Sequence, residues 1–278
     1  MRLVVLRGTV HRSGRSNISG VNNDAVVISR VVEDRHWHAL ENDLVVGRGE
    51  ALRRPDGRLF LGVDAWQDRV FQPLVATMLA ELPEIVYTLV DDEDVEARAR
   101  WRDAGFVTYR QERVYTVATD PQITGLDQIR APSGIEILPL GQAAEAPLSE
   151  LDRVVRAEVG AAAGWQSMPV ELRSRPDGTV GVIDPAAYVV AAQDGEYLGL
   201  ARVARVPRRS RLGLVAVRTA RRRHGIARAM LAELLGSLHR AGVDSVTAEV
   251  DDYNKPANAL LLGIGAQQVG SASELLHR

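Results

Sequence analysis

Short apolar runs, broken by turn formers, alternate along this chain with longer stretches whose apolar positions recur every three or four residues. The short runs read as strands: Ala25–Val32, His38–Leu40, Leu44–Leu52, Leu59–Val63 and Ile85–Asp92. Later come Ile135–Leu138, Tyr188–Ala192, Tyr197–Val206, Leu212–Val217 and Val246–Asp252. The longer stretches read as helices, the clearest being Leu148–Val159 and Ala227–Ala241. Pro55-Asp56-Gly57 and Asp194-Gly195 mark tight turns between strands. Strands alternating with helices predict an α/β fold.

The pattern repeats. Met78-Leu79-Ala80-Glu81-Leu82 recurs as Met230-Leu231-Ala232-Glu233-Leu234. Each copy is followed by a β-type run ending in Val-Asp-Asp, then by a helical stretch closed by Gly105 or Gly265. Beyond each glycine, Phe106–Tyr109 with Arg113–Val117, and Ala266–Val269 with Glu274–His277, read as terminal hairpins. Turn formers concentrate between Ala118 and Gly134. The expected organisation is therefore two copies of one α/β unit, 1–118 and 134–278, joined by a linker at 119–133.

Composition narrows the chemistry. The 278 residues are 46% hydrophobic and 25% charged, with a formal charge of −2, as expected for a globular protein with a substantial core. That charge gives no general attraction to nucleic acid or anionic membrane. The absence of cysteine excludes disulfides, thiolate metal sites and a cysteine nucleophile. His36 and His38 lie close together, but nothing nearby completes a metal set, and the alternation of His36-Trp37-His38 suits a surface ladder. Arg7, His11 and Arg12 interrupt the apolar start, and no run nears the roughly 20 residues that span a bilayer. Cytoplasmic location is the default expectation, as a monomer or homodimer.

The most informative segment is Arg222-Arg223-His224-Gly225-Ile226-Ala227, between a strand and a helix. A glycine turn opening a helix leaves backbone N–H groups pointing outward in the positive field of the helix N-terminus. Flanking arginines add charged donors, making a cradle for a diphosphate. The other readings are a solvated arginine face and a helix-turn-helix over Thr219–Ala241, against which stand the acidic net charge and the preceding strand. The corresponding stretch of the first copy, Asp68-Arg69-Val70-Phe71-Gln72-Pro73, has no glycine. There Pro73 removes an N–H and Phe71 places bulk where a phosphate would lie, so the first copy is expected to have lost ligand binding.

These residues resemble motif A of the GNAT superfamily of N-acetyltransferases, a strand followed by Arg/Gln-x-x-Gly-x-Gly/Ala and a helix. Arg222, Gly225 and Ala227 fill its defined positions. Glu249-Val250-Asp251-Asp252-Tyr253-Asn254 and Ile264-Gly265-Ala266 resemble later family segments, and Asp103-Ala104-Gly105-Phe106 repeats the terminal signature in the first copy. The resemblance implies two tandem GNAT folds, each a mixed central β-sheet flanked by helices, the N-terminal one degenerate, with acetyl-CoA as cosubstrate and no metal. It implies that Val215, Ala216 and Val217 pair with the pantetheine arm, Val215 offering the N–H that polarises the thioester carbonyl. Arg222, Arg223, His224, Gly225, Ile226, Ala227 and Arg228 would hold the pyrophosphate, and Asn254 would contact the arm near the sulfur.

Proton handling is less legible. Many family members carry a tyrosine at the position of Leu261, which has no proton to give. Tyr253 is the nearest substitute by sequence, or a simple turn residue. Glu249 and Asp251 share one side of their strand, where either is a candidate base, a contact for a cationic acceptor, or a salt-bridge partner for arginine. Trp165 is either a lid aromatic over the acceptor or packing between the copies. The expected activity is acetyl transfer from acetyl-CoA to a primary amine of a small molecule by direct attack in a ternary complex. The alternative is a non-catalytic acyl-CoA-binding or regulatory module.

Overall fold

The computed structural model describes residues 26–31, 35–54, 57–163, 183–206 and 209–278. The first half runs β1 (Val27–Arg30), β2 (His36–Glu41), β3 (Leu44–Arg53), β4 (Leu59–Ala65), α1 (Asp68–Glu81), β5 (Val86–Asp91), α2 (Val95–Asp103) and β6 (Val107–Ala118). A short helix, α3 (Pro121–Thr124), marks the joint. The second half runs β7 (Glu136–Leu138), α4 (Glu145–Ala163), β8 (Tyr188–Gln193), β9 (Glu196–Val206), β10 (Arg209–Val217), α5 (Ile226–Arg240), β11 (Ser245–Asp251), α6 (Lys255–Leu262) and β12 (Gln267–His277).

Local chemistry explains the shared order of elements. The β2–β3 turn places Asn42 and Asp43 at φ 50° and 61°, and the β8–β9 turn places Asp194 and Gly195 at 51° and 82°. Such residues tolerate the left-handed pair that a two-residue hairpin demands. Asp94 caps α2 by accepting from the Ala97 N–H at 2.8 Å, and Asn254 caps α6 by accepting from Ala257 at 3.2 Å. Gly105 and Gly265, at φ 87° and 75°, turn the chain out of those two helices.

All twelve strands form one sheet in the order β1-β2-β3-β4-β5-β12-β6-β11-β10-β9-β8-β7. The expected terminal hairpins do not form. Each pair of short runs is instead one long strand, and the two strands change places. β12, the end of the chain, pairs with β5 of the first half, whereas β6 of the first half pairs with β11 of the second. Between Tyr109 and Arg113 nothing supplies a turn, so β6 continues through its bulge and fills the free edge of β11. Each half thus covers an edge that the other would leave unpaired.

The expected reading of Asp68–Pro73 is also corrected. These residues are the opening turns of α1, with Pro73 inside the helix and Phe71 buried edge-on against Trp101 at 5.0 Å. Phe71 fills the core, not a ligand site. Only Trp66 and Gln67 separate β4 from α1, whereas the whole stretch from Arg218 to Gly225 separates β10 from α5. The loop itself is missing from the first half, and Asp68 puts a carboxylate at its helix start.

Among the described residues, three apolar clusters make the core. α1 and α2 lie over Trp37, Leu59, Val86 and Phe106. α5 and α6 lie over Tyr115, Val189, Ala201, Val203 and Ala248. α4 covers Tyr188, Val190, Leu200 and Ala216. Because Leu200 and Ala201 alternate on one strand, α4 lies on the sheet face opposite α5. Trp37 is fully buried, so only its histidine neighbours suit the surface ladder expected there; His36 lies 3.8 Å from Glu50.

Candidate active site

β10 and β11 begin as parallel neighbours and then part. Their register runs only from Ser210–Val246 to Leu212–Ala248, although β10 continues to Val217 and β11 to Asp251. The break coincides with a bulge at Gly213 in the β10–β9 ladder. Beyond it β10 stays paired with β9, and the Arg218 N–H donates to the Leu198 carbonyl at 2.8 Å. In an antiparallel ladder bonded and non-bonded pairs alternate. Val215–Ala201 and Val217–Gly199 are therefore non-bonded pairs. The amides and carbonyls of Val215 and Val217 consequently face away from β9, into the gap toward β11. Arg222 Nε meets the Val217 carbonyl there at 3.0 Å. Ala216, between the two valines, faces α4 and is bonded to β9.

The gap leads to the start of α5. Arg223 and Gly225 adopt φ 69° and 82°, turning the chain so that the helix begins at Ile226 without a side-chain cap. Ile226 is buried in the core, while Arg223, His224, Gly225 and Arg228 are exposed and Ala227 is half-buried. The first amides of α5 therefore face solvent in the positive field of a fifteen-residue helix. Arg228 reaches across to the Gly263 carbonyl at 3.1 Å, tying α5 to α6. The His224 ring lies 3.4 Å from the Arg221 carbonyl. Glu158 of α4 steadies the far end of the loop: one carboxylate oxygen accepts from the Thr219 N–H at 2.6 Å and its hydroxyl at 2.8 Å, with Arg222 at 3.8 Å.

The other wall is the turn after β11. Asp251 is buried and accepts from the Tyr253 N–H at 2.9 Å, which shapes the turn. Asn254 caps α6. Tyr253 itself is 81% exposed, directed away from the core. Glu249 forms an ion pair with Arg211 at 2.8 Å, and Asp252 one with Arg113 at 2.5 Å. Leu261 is buried in the core. Trp165 lies outside the described residues.

Two residues not singled out in the sequence hold this wall. Asn258 donates to the carbonyls of Asp251 and Asn254, both at 3.0 Å, and accepts from the Tyr115 hydroxyl at 2.8 Å. Tyr115 belongs to β6, so the first half supports the turn through its exchanged strand. Nothing local could have signalled this, because the two residues are far apart in sequence. Tyr115→Phe is expected to leave the Asn258 oxygen buried without its donor and to cost about 1–3 kcal/mol, read from urea unfolding. Nearby, at the junction of the halves, a polar cavity of about 290 Å³ is lined by Asp92, Glu112, Arg113 and Asp252 among others. Asp92 bonds to Ser273 as Asp252 does to Arg113, so each half's β–α turn grips the other half's strand.

Known proteins share this fold. The acetyltransferase (GNAT) family model matches residues 162–265. A GCN5-related N-acetyltransferase from Sphaerobacter thermophilus superimposes with a TM-score of 0.62 at 16% identity, covering 89% of this chain and 82% of that one. A tandem GNAT protein from the clavulanic acid biosynthesis pathway gives 0.58 at 17%, covering 87% and 82%. A GNAT-family acetyltransferase from Colwellia psychrerythraea gives 0.58 at 14%, covering 88% and 86%. No curated protein sequence matches the chain.

Proposed function

Starting from the GNAT domain that the second half of this chain carries, we propose that the protein transfers an acetyl group from acetyl-CoA to a primary amine of a small molecule. Transfer is direct, within a ternary complex, and the first half is a degenerate copy that supports the second. The observation that carries this reading is the parting of β10 and β11 at Leu212–Ala248, with the Val215 amide turned into the gap and the gap leading to the uncapped start of α5.

Acetyl-CoA supplies an activated acyl carbon; the chain's own residues do the rest. The amides from Arg223 to Arg228 suit a diphosphate, with Arg222 and Arg228 adding charge. The Val215 N–H suits the oxygen on which negative charge develops, and losing such a donor typically costs on the order of 10²–10³ in rate. Transfer forms a C–N bond and breaks a C–S bond; the amine gives up one proton and the departing thiolate takes one. With Glu249 paired to Arg211 and Asp251 holding its turn, water is the best-placed carrier for both. The same pairings leave little to attract a purely cationic acceptor.

That shortage of free proton-handling groups favours a second reading, a non-catalytic acyl-CoA-binding module. Thiol release from acetyl-CoA across an amine panel separates the two, since only an enzyme turns over. Calorimetry is expected to give one CoA per chain, because the first half has no loop between β4 and α1. A stoichiometry near two would contradict the degenerate reading of that half.

A further inference from the structure

Beneath α4, on the face of the sheet opposite α5, lies a charged cluster with an unmet demand. Asp152 is fully buried, and Arg156, 6% exposed, grips it through Nε and through Nη2 at 3.1 Å. The remaining nitrogen, Arg156 Nη1, is buried without a hydrogen-bond partner. Arg202 of β9, opposite Tyr188 in register, holds its guanidinium 5.9 Å from the centre of the Tyr188 ring, and its Nη1 is likewise buried and unpartnered. No carboxylate among the described residues pairs with Arg202. Asp184, which also bears on the Tyr188 phenol, is exposed and caps the turn at Ala186 through one carboxylate oxygen.

Buried N–H groups without acceptors cost free energy, and each such group in a native protein calls for a partner that completes it. Here two such groups, from two guanidiniums that both bear on the Tyr188 phenol, belong to a cluster of one carboxylate and two cations. The net charge of the three is one positive unit. Burial holds the phenol above its usual range, so at neutral pH it remains a donor. A planar monoanion fits this demand, because guanidinium forks match carboxylates and the charge balances at one.

The location gives the anion a purpose. Arg202 stands opposite Leu214 in register, and a methyl group placed on Gly213 would lie 3.5 Å from Arg202 Nη1. Arg202 thus adjoins the bulge where β10 leaves β11, next to the residue whose amide opens into the gap. We propose that Arg156 and Arg202 form a carboxylate clamp for the acceptor, so that the amine this protein accepts also carries a carboxylate, as an amino acid does. The inference rests on the acetyltransferase reading and names its substrate class.

The test compares matched amines with and without a carboxylate, such as lysine against cadaverine and ornithine against putrescine, by thiol release from acetyl-CoA. The carboxylated member is expected to have the higher kcat/KM by about a hundredfold or more, because a site built to bind a polar group rejects the analogue lacking it. Arg202→Met should erase that preference and raise the acceptor KM by about tenfold or more while leaving the acetyl-CoA KM within about twofold. Its Tm should not fall, since a half-buried cation with no carboxylate partner among the described residues has been removed; a merely structural arginine would lower it. Equal rates within pairs, or a preference that survives Arg202→Met, overturns the clamp.

A measurement independent of turnover separates the clamp from the enzyme reading. In the NMR spectrum of the wild-type protein, the Nε–H signals of Arg156 and Arg202 are expected to shift with propionate and not with propanamide. Signals that ignore propionate, or that respond only to inorganic phosphate, overturn the clamp even if amines are acetylated. Shifts with propionate alongside absent thiol release would retain the clamp and remove the enzyme reading.

Discussion

Residues 134–278 expressed alone are expected to give no monomeric, cooperatively folded product. The fragment lacks β6, the strand that lies between β11 and β12 and pairs with both. It also loses Tyr115 and Val117, both fully buried in the cluster beneath α5. Their burial alone accounts for roughly 3–6 kcal/mol at about 1.5–3 kcal/mol for each large side chain. A domain's whole stability is about 5–15 kcal/mol, and the backbone bonds of β11 would be exposed as well. Circular dichroism and thermal melting check this, with sedimentation to count chains. Coexpression with residues 1–133 should restore a cooperative transition. A monomeric 134–278 that melts sharply would mean that β12 can fold back onto β11 and that the exchange is dispensable.

The second large effect concerns the start of α5. Gly225→Trp is expected to lower CoA affinity by about a hundredfold or more, because the indole would cover amides whose hydrogen bonds to charged groups contribute about 1.5–3 kcal/mol each. The fold should survive. A Cβ at this position meets nothing closer than Pro132 Cγ at 3.8 Å, so the penalty is the left-handed backbone at φ 82°, about 1–2 kcal/mol. Calorimetry reads the affinity and thermal melting reads the strain. Retained affinity in a folded variant would remove the diphosphate cradle from this helix, and the acetyltransferase reading would lose its main physical support.

The sequence announced most of the elements, because their signals are local. Asp194-Gly195 could only turn, the three-and-four spacing from Ile226 to Leu238 could only bury one side of a helix, and Gly225 between strand and helix marked the turn that opens α5. That the first half has no glycine turn before its first helix was visible in the sequence, though for the wrong reason. Phe71 and Pro73 proved to be ordinary members of a helix whose preceding loop is absent. The clamp left a fainter trace. Arg202 interrupts an apolar strand, and Asp152 and Arg156 interrupt the inward stripe of α4 set by Leu148, Leu151 and Val155. Charges in such places are expensive, but an interrupted pattern does not say whether a partner lies across the interface.

Which strand lies beside which was decided by the tertiary structure alone. Neither β6 nor β12 carries a local signal that ties it to one half, so local preference cannot choose between them. The choice follows from edge closure over the whole sheet and from contacts as distant in sequence as Tyr115 with Asn258. The same holds for the gap. The residues that face it are fixed by where the β10–β11 ladder stops, and that is a property of two strands, not of either one.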